Sequence, residues 1–210
     1  MRAAEERKLY LACGTAGLIG SLSGIIGNLV GIIVYEKHDP ISETISALAV
    51  GKYSWILDSS LCLFAAGLLA CATGLYRWSL NGAKWKAASV LLGLLSMDIV
   101  IIALYNQYAG TQQPGMKVHL YAVYTLGVLV SVTSFLLIAG LQEIEITRSW
   151  GRYSFWFGLF WTILAPFFLL VSTAWEGAYE RMLGLMLVGW ITFLAWLVLQ
   201  HGRKGMVLGR

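Results

Sequence analysis

Seven side chains in this sequence could carry acid–base, metal-binding or ligand-binding chemistry in surroundings that are otherwise strongly apolar. Two of them, Asp58 and Asp98, are acids inside long hydrophobic stretches. A charged group in hydrocarbon is costly unless it is paired, protonated or facing water, so each of these acids is a functional candidate. The other five flank hydrophobic stretches; they are His38, Glu43, His119, Glu180 and Arg181.

The composition predicts a membrane protein. Of the 210 residues, 58% are hydrophobic and only 12% are charged, whereas about a quarter of the residues of a soluble domain are charged. The net charge of +4 does not indicate nucleic-acid binding, because membrane proteins concentrate Lys and Arg in their cytoplasmic loops. We therefore expect no nucleic-acid partner.

Apolar runs long enough to cross a bilayer as helices predict an all-α, polytopic bundle of six transmembrane helices that forms a single domain over residues 1–210. The short links between the runs require antiparallel neighbours. The predicted spans are 10–34, 54–76, 87–107, 118–140, 153–175 and 182–200.

The distribution of basic residues predicts the orientation. Eleven of the 15 Lys and Arg residues, Arg210 among them, lie at the termini or in the second and fourth links, and four lie on the other side. By the positive-inside rule, both termini are cytoplasmic and the first, third and fifth links face outward. We expect a multi-pass protein of the cell membrane.

The first outer link begins with a helix-start signal. Asp39 suits an N-cap and Pro40 the first helical position, while Gly51 suits a stop. The apolar positions between them share one face, which predicts a short amphipathic helix of about three turns at the outer interface.

With this topology, six of the candidate side chains lie in the outer third of the bundle: His38, Glu43, Asp58, His119, Glu180 and Arg181. They could form a hydrogen-bonded network that fixes the outer links, a general acid–base pair, a lipid headgroup pocket or a metal site. No close ligand spacing such as His-x-x-x-His supports a metal, so we predict neither a metal nor a cofactor.

Asp98 lies near the middle of the third span. It could be a neutral acid or a carboxylate hydrogen-bonded to a neighbouring helix, or it could belong to a proton path.

Six glycines line one face of the first span, at spacings of three and four residues. Small residues let transmembrane helices approach closely, so we predict a packing seam inside the bundle; a homo-oligomer contact and a groove for a flat apolar ligand are alternatives. Asn28 could form a hydrogen bond across this seam. The glycines are Gly14, Gly17, Gly20, Gly24, Gly27 and Gly31.

Three segments resemble the family of six-span membrane proteins known as domain of unknown function 998 (DUF998). They are His-Asp-Pro-Ile-Ser-Glu-Thr-Ile-Ser-Ala-Leu over 38–48, His119 at the start of the fourth span, and Gly-Ala-Tyr-Glu-Arg over 177–181. The resemblance implies the six-helix fold and an outer polar cluster, but no reaction. In the family an acid stands next to the leucine of the loop; here Ala47 stands there and the loop acid is Glu43.

These observations favour a non-catalytic module that binds membrane lipid, a second copy of the chain or another membrane protein. One alternative is a membrane enzyme acting on a lipid or isoprenoid at the outer leaflet, with Glu43, Asp58 and His119 as acid–base or ligand groups. The other is a small proton-coupled carrier that uses Asp58 and Asp98, although no repeat of three spans supports it.

Overall fold

In the computed structural model, the described residues are 2–78, 80, 82–143 and 147–204. Six helices in this part of the chain are long and apolar enough to cross a membrane, and it contains no strand. The helices are α1 (Arg2–Val34), α2 (Ser54–Trp78), α3 (Gly82–Tyr105), α4 (Pro114–Glu143), α5 (Arg148–Phe167) and α6 (Glu176–Lys204). The predicted all-α fold of six spans is confirmed; Arg210, which entered the charge count, lies outside the described residues.

The fifth helix ends earlier than its hydrophobicity predicts. We expected the span to continue to residue 175, but α5 ends at Phe167 and a short 3-10 helix, Phe168–Leu170, follows it. The next residues form a turn because Ser172 accepts the N–H of Trp175 on its carbonyl and that of Ala174 on its hydroxyl. Serine side chains that bind nearby backbone groups compete with the helix in this way.

The six helices are arranged in a ring in which each helix packs against the helix before it and the helix after it, and α6 packs against α1. Helix α1 packs between α2 and α6, and α3, α4 and α5 follow α2 in chain order. At one end, the Tyr10 ring contacts the His201 ring at a centroid distance of 4.5 Å, which brings the two ends of the described chain together. We call this the terminal end, and the opposite end, which carries residues 35–53, the loop end; that the loop end faces outward remains a prediction.

The glycine face of α1 lies inside the bundle. A Cβ at Gly14 would lie 2.7 Å from Cα of Leu199 on α6, and one at Gly20 would lie 2.9 Å from Cα of Gly67 on α2. At Gly27 it would overlap Ser60 of α2. Gly14 and Gly20 need glycine because the backbones of α6 and α2 approach α1 too closely for a side chain, and Gly27 needs it because the Ser60 side chain fills the space.

The helix of the first link is shorter than predicted and starts later. Asp39 caps only a single turn, and the helix that follows is a 3-10 helix over Ile45–Ala49, which we call the loop helix. Leu48 and Ala49 are buried, and Leu48 contacts the position of Gly31 on α1. The helical conformation is interrupted after the first turn because backbone groups of residues 41–45 form hydrogen bonds with α6 instead of with one another.

Candidate functional site

The first link is fastened to the start of α6 by backbone contacts. The N–H of Ala178 donates to the carbonyl of Ile41 at 2.9 Å. Gly177 lies directly beneath the backbone of Glu43, where a Cβ would come within 2.9 Å of its nitrogen. The close approach therefore requires glycine at this position.

Glu180 and Arg181 continue this attachment with their side chains. Oε2 of Glu180 accepts the N–H of Ile45 at 2.6 Å. The Arg181 guanidinium donates through one terminal nitrogen to the carbonyls of Pro40, Glu43 and Gly177, at 2.7–3.1 Å. Two adjacent residues of α6 thus bind the first link at Pro40, Glu43 and Ile45. These contacts hold the link in place across the loop end.

His38 is clamped between Arg181 and Glu43. Its Nε2 lies 2.8 Å from a terminal nitrogen of Arg181, and its Nδ1 lies 2.8 Å from Oε2 of Glu43. A guanidinium can only donate, so Nε2 must accept and the ring hydrogen lies on Nδ1. Burial, and next the Arg181 charge, lower the pKa of His38, while Glu43 and Asp39 oppose the shift. The histidine is therefore held in its neutral form.

Asp39 stabilises the turn beside this clamp. Its carboxylate accepts the Ser42 hydroxyl at 2.6 Å and the N–H of Ile41 at 3.0 Å. These two bonds, the Ser42 hydroxyl first, hold the pKa of Asp39 below its ordinary value. This residue shapes the link and faces solvent.

The other two members of the predicted outer cluster have different partners. Oδ1 of Asp58 accepts the side-chain N–H of Asn106 at 3.2 Å, and Nε2 of His119 lies 3.3 Å from the Ser46 hydroxyl of the loop helix. The structure thus brings His38, Glu43, Glu180 and Arg181 together and places Asp58 and His119 in two separate pairs. Within the described residues, no three His, Cys, Asp or Glu side chains are grouped to hold a metal.

Asp98 is buried in α3 without a hydrogen-bond partner among the described residues. Ser96 and Trp85 donate to carbonyls of α2. Asp98 lies about 200° around the helix from Ser96, on a different side of α3. This acid is separate from the groups at the loop end.

An apolar cavity of about 290 Å³ lies beneath the first link. Its wall comes from α1, α2, α3, α4, α6 and the loop helix, with Arg181 and Asn28 as its polar members. Leu29 of α1 and Leu185 of α6 line it and are more than half exposed, so the cavity opens between these two helices. Hydrophobicity cannot reveal such a space, because its residues look like ordinary transmembrane residues.

Two nitrogen atoms of residues that line the cavity have no hydrogen-bond partner within the described part of the chain. They are Nε of Arg181 and Nδ2 of Asn28, and both atoms are buried. The expected hydrogen bond from Asn28 across the glycine seam is therefore absent from this nitrogen. A buried donor without a partner costs free energy. A hydrogen-bond acceptor placed near either nitrogen would remove that cost.

The family model described as "Protein of unknown function (DUF998)" matches residues 18–197. The chain belongs to this family. The match includes the first link, the cavity wall and the start of α6. No curated protein and no solved structure matches the chain.

The segment over 177–181 of this DUF998 chain now has a structural explanation. Four of its residues bind or approach the first link, as described above, and the Tyr179 hydroxyl donates to the carbonyl of Leu164 at 2.8 Å, which ties α6 to α5. Sequence reasoning missed Tyr179, Gly177 and Asn106 as contact residues. Their sequence positions alone do not show which segment each one meets.

Proposed function

We propose that this DUF998 protein is a lipid-binding membrane protein whose cavity holds one hydrocarbon chain of a membrane amphiphile. The observation that carries the proposal is the apolar cavity at the loop end and its opening between α1 and α6. Around the helices the solvent is hydrocarbon, so a space of this kind is filled most readily from the membrane.

The size of the cavity supports a single chain. Its 290 Å³ equals the liquid volume of about ten waters, which is room for about ten non-hydrogen atoms. This is at the lower end of the range for small-molecule pockets. A whole two-chain lipid does not fit, whereas one chain or its end does.

The position of the cavity supports a defined orientation. Its polar wall atoms are on the side of the first link, and the deeper wall is apolar, with Phe64 and Leu187 among its buried residues. An amphiphile entering between Leu29 and Leu185 would keep its polar end near Arg181 and pass its chain towards Phe64. This matches the polarity gradient of a membrane leaflet.

Photolabelling tests the proposal. The protein is placed in phosphatidylcholine nanodiscs with a ten-carbon alkyl chain that carries a terminal diazirine, and labelled residues are identified by mass spectrometry. We expect label on Phe64 and Leu187, which are buried at 3% and 7% exposure and are reached only from inside the cavity.

A pair of glycine variants on α6 supplies the control. A side chain at Gly184 would project towards Ile45 of the cavity wall, whereas Gly189 is exposed with open space around it. Gly184→Leu should abolish label on Phe64 and Leu187, and Gly189→Leu should leave it unchanged. Label confined to lipid-facing residues in all three proteins would overturn the proposal.

A further inference from the structure

We infer that the amphiphile in the cavity presents an uncharged oxygen acceptor, such as an ester or ketone carbonyl, to Arg181 and Asn28. This inference rests on the proposed function and names the chemistry of the ligand's polar end. It excludes three other classes of polar end: a carboxylate, a phosphate and an amine.

Arg181 supplies the first donor. Its terminal nitrogens are engaged with three backbone carbonyls and His38. Among the described residues Nε has no partner; it is buried, on a side chain that lines the cavity. Nε carries one hydrogen and no free lone pair, so only an acceptor can satisfy it. An ammonium head offers no acceptor.

Asn28 supplies the second donor, slightly deeper in the cavity. Helices α1 and α6 run antiparallel in a register that sets Gly17 against Ala195 and Gly24 against Val188. The same register places Asn28 level with Gly184, three residues from Arg181 and about 4.5 Å along the axis. A single polar group with one or two oxygens would span this separation along the axis.

The surrounding charges select an uncharged acceptor. The carboxylates of Asp39 and Glu43 interact electrostatically with Arg181, and no other cationic side chain lines the cavity within the described part of the chain. An anionic head would add a further negative charge to this group and would lose its hydration on entry. A carbonyl oxygen gains the same hydrogen bonds without that cost.

Competition against the photolabel tests the inference. The competitors are undecane, methyl decanoate, decanoate and decylamine, and their concentrations are compared as mole fractions in the nanodisc membrane. Because methyl decanoate alone offers an acceptor to both donors and keeps its neutral charge, it should displace the label at about a tenfold lower mole fraction than undecane. Decanoate and decylamine should show no such advantage.

Asn28→Leu provides the matching variant, because it removes a donor and keeps the side-chain size. We expect it to bind undecane as before and to reduce the advantage of methyl decanoate to about threefold; Gly189→Leu should retain the full advantage. Equal displacement by undecane and methyl decanoate, or strongest displacement by decanoate, overturns the inference and leaves the proposed function standing. Failure to label Phe64 and Leu187 in the unaltered protein overturns the proposed function itself.

Discussion

The guanidinium of Arg181 and the imidazole of His38 lie 2.8 Å apart, although 143 positions separate them in the chain. Their contact joins the start of the last helix to the link that follows the first. Since α1 and α6 also pack together, the contact closes the bundle at the loop end, above the opening of the cavity.

Arg181→Lys should loosen the first link. A lysine ammonium is compact and cannot reproduce the planar fork that reaches His38 and the carbonyls of Pro40 and Glu43 together. Hydrogen bonds to charged groups contribute about 1.5–3 kcal/mol, so we expect faster hydrogen exchange over residues 41–47 and a lower unfolding temperature. The control is Arg152→Lys, at an exposed position of α5, which should change neither. Unaltered exchange in Arg181→Lys would show that the link is held by other contacts.

The stability of the link should depend on the titration of His38. Because its pKa is lowered in the folded protein, the unfolded chain binds more protons at mildly acid pH. The contribution of His38 is fully present above its unfolded pKa of about 6.5 and is lost as the pH falls below that value. The protection factors of residues 41–47, which are exchange rates corrected for the intrinsic pH dependence of amide exchange, should fall between pH 7.5 and pH 5.5.

His38→Gln isolates this dependence, since glutamine can still accept from Arg181 but does not titrate. We expect a flatter pH profile of the protection factors in the variant. An identical slope in both proteins would assign the dependence to other groups.

Gly177→Ala should displace the first link from α6. The added methyl would meet the backbone of Glu43, which cannot rotate away as a side chain can. Overpacking of this kind costs about 1–3 kcal/mol. At Gly189 nothing lies within 4 Å, so Gly189→Ala should be neutral or stabilising, because alanine favours a helix. Thermal unfolding in detergent compares the two, and equal unfolding temperatures would contradict the close approach.

Alanine substitutions along α1 should distinguish tight from loose parts of the glycine face. Gly20→Ala would place a methyl 2.9 Å from Cα of Gly67 and should destabilise the bundle, whereas Gly24→Ala would make only ordinary contacts with Phe64 and Val188. The expected difference in unfolding free energy is about 1–3 kcal/mol. If a contact between two copies used this face instead, both variants would alter the oligomeric state more than the stability.

The two acids within the spans should respond in opposite directions to replacement by leucine. Asp98 has an unpartnered buried oxygen, so Asp98→Leu removes a cost of about 1–3 kcal/mol and should stabilise the protein. Asp58→Leu leaves the Asn106 amide without its acceptor and should destabilise it. Thermal unfolding of both variants checks this contrast, and destabilisation by Asp98→Leu would reveal a partner for that acid.

The sequence predicts the six helices well because each must be apolar over the thickness of a bilayer. It predicts less of the loop end, where Asp39 and Pro40 form a sound helix start but the backbone beyond them bonds to Ala178 and Glu180. The sequence does not predict which polar side chains meet, because that depends on how the helices are aligned with one another in the bundle. This alignment separates Asp58 and His119 from His38. The cavity could not be predicted from the sequence, because its lining residues are apolar except for Asn28 and Arg181.

The contact between Gly14 of α1 and Leu199 of α6 also constrains the order of assembly during synthesis. Because α6 follows α1 in the chain, one side of α1 has no partner helix until α6 enters the membrane. The cavity and the hydrogen bonds between the first link and α6 then form together, when α6 packs against α1. A nascent chain arrested before α6 would lack the contacts that hold its first link in place.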